Sequence, residues 1–443
     1  MAGKETVRLR DACVKIGSGA TPRGGKEAYK GGVTSLIRSQ NIYNEGFHRD
    51  GLVYIDEDQS AELRNVELKA HDVLLNITGD SVARCCQVAT DVLPARVNQH
   101  VAIIRPRPEL LDARFLRYVL VSHEYQSRLL ALASAGATRP ALTKLMIEEL
   151  NIPSPPLAEQ KAIAAVLGAL DDKIELNRRM NATLEAMARA LFQSWFVDFD
   201  PVRAKLDGRK PVGLDDATAA LFPASLQESA VGHIPRGWDI KTCSELTSLI
   251  TKGTTPTQGD MTGAPEYDAQ INYVRVNSID EDGSVLFDKL TTIPESVHSG
   301  VLKRSILRSN DVLYTIAGTI GRIALAEDWV LPANTNQAVA IIRPEPGIPS
   351  GFLILTMRHE VFRAELHNNI VHAVQANLSL GMLSKARAVV PPHAILQQLF
   401  RPIDALLSQI SANRSQSRTL ATLRDTLLPK LLSRELSMAQ SQN

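Results

Sequence analysis

The sequence predicts an α+β protein with two mixed α/β domains separated by two long antiparallel helices that form a coiled coil, related by a pseudo-two-fold repeat. Three observations predict this fold. Residues 94–106 return as residues 332–344, with ten of 13 positions identical. Each copy is followed by a Pro-Pro pair and a long stretch poor in Gly and Pro. Apolar residues in both stretches recur at steps of four and three, the period of a coiled coil.

Each copy begins with a module of short strands and turns. The first module is predicted over residues 1–154 and the second over residues 232–390. Short apolar runs bounded by Gly and Pro are typical of buried strands. Such runs lie at 72–77, 101–104, 311–316 and 339–342. The turn Gly19-Ala-Thr-Pro returns as Gly253-Thr-Thr-Pro, which indicates that both modules share one loop plan.

A long helix is predicted after each module. The central spacer helix covers residues 155–200 and the distal spacer helix residues 391–436, while residues 201–231 are predicted to be a connector with one short helix. Proline is tolerated in the first turn of a helix, so the regular part of the distal helix is expected to begin near Pro402. The predicted coiled-coil seam consists of Ile163, Leu167, Leu170, Ile174, Asn177, Leu184 and Leu191 with Ile403, Leu406, Ile410, Asn413, Leu420 and Leu427.

The two helices are predicted to pair with each other. Asn177 and Asn413 occupy matching midpoints of the two seams, and a buried asparagine fixes register at some cost in stability. The alternatives are that each helix packs on its own module and that the asparagines are solvated. About 40 helical residues span roughly 60 Å, or about 18 base pairs of duplex.

Composition restricts the class of protein. The 443 residues are 44% hydrophobic and 22% charged with a net charge of +1, which fits two or three folded domains rather than a polycation. The N-terminus is not a signal sequence, and no run of 18 apolar residues occurs, so a cytoplasmic protein without a membrane span is expected. Cys13, Cys85, Cys86 and Cys243 lack zinc spacing; we expect buried, reduced thiols and no metal.

Six short segments carry a family resemblance. Residues 155–164 (PPLAEQKAIA), 170–177 (LDDKIELN) and 191–202 (LFQSWFVDFDPV) resemble the central signature of type I restriction–modification specificity (S) subunits. Residues 317–322 (AGTIGR), 333–337 (ANTNQ) and 427–432 (LLPKLL) resemble the same family. The distal copy departs from the signature, because its Pro-Pro pair is followed by HAILQQ and no aromatic block ends its helix.

The resemblance implies a non-catalytic subunit with two target-recognition domains, each reading one part of a bipartite, asymmetric site on double-stranded DNA. It implies that the helices space the domains and dock two methyltransferase (modification) subunits, which bring S-adenosylmethionine. It also implies a separate restriction motor and nuclease subunit. No cofactor is expected in this chain itself.

Candidate DNA-binding residues lie in the turns of both modules, because Arg pairs well with guanine and Asn or Gln with adenine. In the first module they are Arg23, Lys26, Arg38, Gln40, Asn41, Arg84, Asn98, Gln99 and His100. In the second module they are Lys252, Thr255, Gln258, Arg275, Asn277, Arg322, Asn334, Asn336 and Gln337. For each of them a loop hydrogen bond or a solvated charge is the alternative.

The repeat divides these candidates into two groups. Side chains identical in both copies, such as Asn98/Asn336, Gln99/Gln337 and Arg105/Arg343, are expected to serve the shared frame or backbone phosphates. Positions that differ are better candidates for base readout, because unlike half-sites need unlike side chains. Residues 21–26 of the first module and residues 255–260 of the second differ in this way.

Trp195, Phe196 and Phe199 end the central helix. Aromatic side chains often anchor interfaces, so docking of a partner subunit is predicted for them, with packing onto the first module or the connector as the alternative.

Two other classes of protein compete with this prediction. An enzyme would need a methyltransferase or Walker motif, and neither occurs. Asp171-Asp-Lys173 matches a nuclease element only loosely. A coiled-coil scaffold that does not bind DNA explains the helices but not the two elaborate modules.

Overall fold

The structure, a computed structural model, describes residues 6–24, 29, 31–135, 139–263, 265, 268–370 and 378–436. It divides into two compact units. The first unit is Met1–Arg178 with Arg414–Asn443, and the second unit is Arg179–Asn413. Each unit therefore contains one α/β module and a part of each long helix.

The first module precedes the central helix. Its elements are β1 (Thr6–Arg8), α1 (Leu9–Ala12), β2 (Cys13–Ser18), β3 (Thr34–Ile37), β4 (Val53–Ile55), α2 (Glu57–Glu62), β5 (Val73–Asn76), β6 (Cys85–Gln87), β7 (Ala95–Val97), β8 (Val101–Pro106), α3 (Ala113–Val121), α4 (His123–Ser134), α5 (Lys144–Glu148) and β9 (Asn151–Pro153). The central helix α6 follows at Leu157–Phe192 and continues into a π-helical turn at Gln193–Val197.

The second module precedes the distal helix. Its elements, with the connector, are α7 (Asp200–Leu206), α8 (Asp216–Ala220), β10 (Leu226–Ser229), β11 (Gly232–Pro235), β12 (Asp239–Thr242), β13 (Thr247–Lys252), α9 (Gln258–Thr262), β14 (Gln270–Val274), β15 (Thr291–Pro294), α10 (Glu295–Ser299), β16 (Val312–Thr315), β17 (Ile323–Leu325), β18 (Ala333–Thr335), β19 (Val339–Pro344), α11 (Ser350–Arg358), α12 (Glu360–Ile370), α13 (Leu380–Lys385) and β20 (Arg387–Val390). The distal helix α14 is His393–Leu432.

The two modules have the same sheet topology. An antiparallel four-stranded sheet has the order β2-β8-β5-β6 in the first module and β13-β19-β16-β17 in the second. A three-stranded sheet has the order β4-β3-β7 or β15-β14-β18 with one parallel pair, and a two-stranded sheet joins β1 to β9 or β12 to β20. The strands predicted from the repeated runs are confirmed, and so is the duplicated fold.

Strand β5 shows why these runs are continuously apolar. Successive side chains of a strand point to opposite faces of its sheet. Val73 and Leu75 face a core shared with the helices, whereas Leu74 faces a core shared with the three-stranded sheet. In the second module Val312 and Leu313 divide in the same way. A strand buried on both faces has no solvent side on which polar residues could alternate.

Within each unit the long helices pair antiparallel, as the sequence predicts. In the first unit Glu159 contacts Arg434 and Asp171 contacts Arg424, so rising numbers in α6 meet falling numbers in α14. In the second unit Asn413 donates to Asn181 Oδ1 at 2.8 Å. Every predicted seam residue is buried or partly buried. The alternative that each helix packs only on its own module is therefore wrong.

The polar midpoint of the seam is a hydrogen-bonded network. Asn177 is fully buried and donates to Gln416 Oε1 at 2.9 Å and to Ser417 Oγ at 3.2 Å. Asn413 is 5% exposed, and its partner Asn181 is the repeat equivalent of Ser417. The two midpoint asparagines are therefore buried and hydrogen-bonded, and the alternative of solvated side chains is wrong.

Two expectations about the helices and the connector are wrong. The distal helix begins at His393, nine residues before Pro402, because Leu396 and Leu399 are completely buried and hold that first segment in the core. The connector contains two short helices, α7 and α8, rather than one, and the strand β10 precedes residue 232. Phe222 is buried against Trp195 and Trp238, which packs the connector into the second unit.

None of the described helices is both long and apolar enough to cross a membrane.

Candidate functional site

Three loops meet beside the sheets of the first module. They follow β2, β3 and β7 and comprise residues 19–23, 38–41 and 98–100, here called the first loop cluster. Ala20 N–H donates to Val97 O at 3.0 Å, and Asn98 N–H donates to Ile37 O at 3.0 Å. These backbone bonds fix the three loops to one another.

The second module brings the equivalent loops together. Residues 253–258, 275–278 and 336–337 form the second loop cluster. Thr254 N–H donates to Thr335 O at 3.1 Å, and the Tyr273 hydroxyl donates to Thr254 O at 2.9 Å. The side chains of Thr255 and Gln337 also contact each other.

One glycine in each cluster is required by close backbone approach. A Cβ atom on Gly19 would lie 2.2 Å from Val97 O, and a Cβ atom on Gly253 would lie 1.8 Å from Thr335 O. Both distances are far below contact distance, so only glycine fits. This explains why the Gly-x-Thr-Pro turn is present in both copies.

Two of the side chains that are identical in both copies, Asn98 and Asn336, bond within their own loops, whereas Gln99 and Gln337 are exposed. Asn98 Oδ1 accepts from His100 N–H at 3.2 Å, and Asn336 Oδ1 accepts from Ala338 N–H at 3.3 Å. Each asparagine closes its own loop.

A largely buried ion pair recurs in each module, at the end of β8 or β19 that lies away from the loop cluster. Arg105 binds both carboxylate oxygens of Asp72 at 2.7 Å, and Arg343 binds those of Asp311 at 2.8 and 2.7 Å. Asp72 and Asp311 are fully buried. A bidentate pair of this kind orients the strands on either side of it.

The prediction that Asn41 and Asn334 bind DNA is wrong, because both side chains are completely buried. The Asn41 amide donates to His48 O and Asp50 O, and its oxygen accepts from Arg38 N–H, all at 3.0 Å. The Asn334 amide donates to Leu302 O at 2.9 Å. These amides replace missing backbone partners in turns, so neither is available to a base.

Four candidate arginines lie partly buried against their own module. Arg38 donates to Gly51 O at 2.6 Å, and Arg322 donates to Ile279 O at 2.8 Å. Arg84 stacks over the ring of Tyr43, with 4.6 Å to the ring centre. Arg275, the repeat equivalent of Arg38, is also partly buried. Their positive charges lie beside the clusters, but their guanidinium groups are partly engaged.

Tyr43 was missed by the sequence reasoning. It lies two residues beyond Asn41, stacks on His48 and supports Arg84. The second copy has Asp280 at the equivalent position. A comparison of the two copies through this loop would have identified it as a difference.

The remaining candidates are exposed or partly exposed at the clusters. The exposed ones are Arg23, Gln40, Gln99, His100, Lys252, Thr255, Gln258, Asn277 and Gln337. Lys26 lies outside the described residues. His100 Nδ1 shares a 2.7 Å hydrogen bond with Thr78 Oγ1.

The aromatic block at the end of α6 is not an exposed docking surface. Trp195, Phe196 and Phe199 are 5%, 4% and 6% exposed. Phe196 packs against Trp238 and Phe352 in the core of the second unit. The predicted docking role is wrong for these side chains, because burial in their own unit leaves no surface for a partner.

Asp171 belongs to a structural network rather than to a nuclease centre. Its carboxylate binds Arg117 at 2.6 Å, the Tyr118 hydroxyl at 2.6 Å and Arg424 at 2.8 Å. Burial alone would raise the pKa of Asp171, but these three partners together hold that pKa below its ordinary value. A permanently charged carboxylate fixed by two arginines and a tyrosine is a structural anchor.

The four thiols are buried and free, as expected. Burial raises the pKa of Cys13, Cys86 and Cys243 to about 12 and also raises that of Cys85. Thiols with such pKa values are not nucleophiles at neutral pH. In the part of the chain that the structure describes, no three His, Cys, Asp or Glu side chains are grouped to hold a metal.

Two copies of one α/β module, joined to antiparallel helices and each presenting a loop cluster, define a protein built by duplication of one unit. Residues 1–186 match the family described as type I restriction modification DNA specificity domain. The match covers fewer than half of the 443 residues and agrees with the resemblance carried by the sequence segments.

Three relatives show how far the similarity extends. The type I restriction enzyme HindI specificity subunit of Haemophilus influenzae is 25% identical, over 83% of this chain and 87% of that protein. The MjaIX specificity subunit of Methanocaldococcus jannaschii is 24% identical, over 96% and 92%. The crystal structure of an S subunit from M. genitalium has a TM-score of 0.56 at 15% identity and covers 96% of this chain and 95% of that one. That structure supports the fold.

Proposed function

We propose that the chain reads a bipartite, asymmetric site on double-stranded DNA, with one half-site for each module. The proposal rests on one observation, the contrast between the shared internal frame of the two copies and their exposed side chains. The frame is the same twice, down to Asn98/Asn336 and the buried Arg–Asp pairs. Several of the exposed side chains on that frame differ, although Gln99/Gln337 is the same in both copies.

The differences have the chemistry of base readout. Arg23 in the first cluster corresponds to Thr257 in the second, and Gln40 corresponds to Asn277. His100 corresponds to Ala338. Arginine reads guanine best and amides read adenine best. Gln40 and Asn277 favour the same base, but Arg23 against Thr257 and His100 against Ala338 favour two unlike half-sites.

The net charge of +1 supports reading by local contacts. A chain without bulk positive charge gains little from non-specific attraction to phosphates. Its affinity for DNA then depends on the loop clusters and on the arginines beside them.

We further propose that the chain acts in the cytoplasm as part of a type I complex. It docks two methyltransferase subunits, which bring S-adenosylmethionine, and through them a restriction motor and nuclease subunit. Because the aromatic block is buried, docking needs another surface. Met180 and Met187 on α6 are 38% and 48% exposed and seven residues apart, hence on one face of the helix. Exposed methionines suit such a surface.

The test is the sequence motif that the complex methylates. The chain is co-expressed with its methyltransferase subunit, and methylated bases are mapped in the host genome. Arg23→Ala is expected to relax one half-site and leave the other unchanged. Purified complex should bind the original duplex about 5- to 150-fold more weakly, the loss expected for one base contact.

Arg209→Ala is the matched control, because Arg209 is an exposed arginine of the connector paired with Asp207 at 2.7 Å. It should leave motif and affinity unchanged. An unaltered motif with Arg23→Ala removes Arg23 as a reader. Absence of salt-dependent DNA binding by the complex would contradict the whole proposal and favour a scaffold.

A further inference from the structure

Two ion pairs in the first unit join α6 to α14. Asp171 Oδ1 lies 2.8 Å from a terminal nitrogen of Arg424, and these side chains are only 16% and 18% exposed. Glu159 accepts from Arg434 at 3.1 and 3.2 Å. In both pairs α6 supplies the acid and α14 supplies the base.

The equivalent positions in the second unit carry no such pairs. Because Pro155-Pro156 matches Pro391-Pro392, Leu407 is the equivalent of Asp171 and Ala188 is the equivalent of Arg424. Leu407 and Ala188 both pack in the apolar core of the second unit. The fold is duplicated, but the charges on its helix seam are not.

We infer that these two ion pairs make α6 and α14 selective for each other, so that the chain does not assemble with a second copy through like helices. Two copies of a duplicated protein have an alternative to internal pairing, in which α6 pairs with α6 and α14 with α14. Selectivity requires that this alternative be penalised.

Pairing of two α14 helices is penalised at Arg424. In the same antiparallel register, Arg424 would lie against Leu407 of the other copy and lose Asp171. A guanidinium group taken out of water without its carboxylate is strongly unfavourable. Arg424 also pairs with its neighbour Asp425 at 2.8 Å, but Asp425 is 63% exposed and replaces the buried Asp171 only in part.

Pairing of two α6 helices is penalised at Glu159. The repeat equivalent of Arg434 is Asp198, so Glu159 would meet a carboxylate in place of a guanidinium. Asp171 would face Ala188 and keep only its partners Arg117 and Tyr118. Like charges in contact disfavour a seam.

The midpoint asparagines of the seam do not discriminate between the two arrangements. Asn177 bonds Ser417, and at the equivalent positions of the second unit Asn413 bonds Asn181. Pairing of like helices would oppose Asn177 to Asn181 and Asn413 to Ser417, and both pairs can form hydrogen bonds. The asparagines therefore add nothing to the selectivity that we infer from the two ion pairs.

The test uses the full chain carrying two different affinity tags and co-expressed in one cell. The variant Asp171→Leu/Arg424→Ala copies the residues of the second unit into the first. The wild-type chain should show no co-capture of the second tag and one chain per particle by light scattering. The variant should show co-capture increased about tenfold or more, with two-chain particles.

The control is Arg49→Ala/Asp91→Ala, which removes an ion pair of 2.7 Å on the surface of the first module away from the seam; it should behave as wild type. Co-capture of the wild-type chain overturns the inference. A variant that melts cooperatively yet stays single also overturns it. If that variant does not fold, Glu159→Ile/Arg434→Asp changes the more exposed pair, and the same two outcomes decide.

Discussion

At the scale of single residues, several of the repeated side chains bind their own chain, while several of the unrepeated ones face solvent. Asn98, Asn336 and the two buried Arg–Asp pairs bind their own chain. Arg23 and Gln40 are exposed at the first loop cluster. Under the proposed function, the exposed positions allow the two modules to diverge in what they read without losing their fold, because a surface substitution rarely costs more than about 0.5 kcal/mol.

The role of a polar side chain in a turn could be predicted only in part. Comparison of the copies identified Asn98 as a frame residue, since its equivalent is identical. It did not identify Asn41, whose equivalent is Ser278. Both cap the same short 3-10 turn, because Arg38 N–H donates to Asn41 Oδ1 and Arg275 N–H donates to Ser278 Oγ. Different residue types thus fill one structural role, and sequence identity does not detect this.

Asp72 should be the costliest of the frame residues to remove. Asp72→Ala leaves Arg105 without its carboxylate inside the first module, which we expect to lower the free energy of unfolding by about 3–5 kcal/mol. Denaturant titration of the chain measures the change. Asp91→Ala is the control, because Asp91 pairs with Arg49 at the surface and its loss should cost about 1 kcal/mol or less. Equal effects of the two substitutions would contradict a structural role for the buried pair.

At the scale of elements, most of the correct predictions came from the spacing of apolar residues along the sequence. The strands β5, β8, β16 and β19 followed from short apolar runs, and the paired helices followed from the spacing of the seam. The two helices of the connector could not be predicted from this spacing, because α7 and α8 are only seven and five residues long. Helices of that length are stabilised by tertiary packing rather than by their own sequence. The start of α14 was misplaced for the same reason, since core contacts hold His393–Arg401 helical despite Pro402.

Pro402 should therefore destabilise α14. It is the tenth residue of the helix, is exposed, and cannot donate a hydrogen bond to the carbonyl of Gln398. Pro402→Ala is expected to raise the free energy of unfolding by about 1–3 kcal/mol. Pro392→Ala is the control, because Pro392 precedes the helix, where proline is tolerated. A decrease in thermal stability with Pro402→Ala would mean that the proline shapes a bend that the core requires.

At the scale of the whole molecule, duplication gives one chain two modules of the same topology and two long helices that pair within each unit. The modules share their topology even to a bulge in the first strand of each four-stranded sheet. Their loop clusters differ in exposed chemistry, and their seams differ in charge. Duplication thus explains the fold, and divergence after duplication explains the asymmetry in both recognition and assembly. The DNA sequence that is read does not follow from the fold, because it depends on a few exposed side chains.

If the helices set the separation of the half-sites, lengthening both helices should weaken DNA binding for two reasons. It changes the distance between the modules along the duplex, and it changes the direction in which the grooves of the half-sites face. A copy of residues 172–178 is inserted after Arg178, and a copy of residues 414–420 is inserted after Asn413, so that the added seam residues pair as the originals do. Each insert adds about 10.5 Å, the length of about three base pairs. Three base pairs turn a duplex by about 100°, whereas a heptad turns the end of a helix by only about 20°.

The lengthened protein should therefore fold with unchanged stability and fail to engage both half-sites together. We expect its complex with the methyltransferase subunit to bind the original duplex about 100-fold more weakly, because the second binding event is no longer intramolecular. Affinity for a duplex with a single half-site should be unchanged, and a spacer longer by three base pairs should not restore tight binding, because the grooves face different directions. Undiminished affinity for the original duplex would show that the modules reach their half-sites independently of the helices.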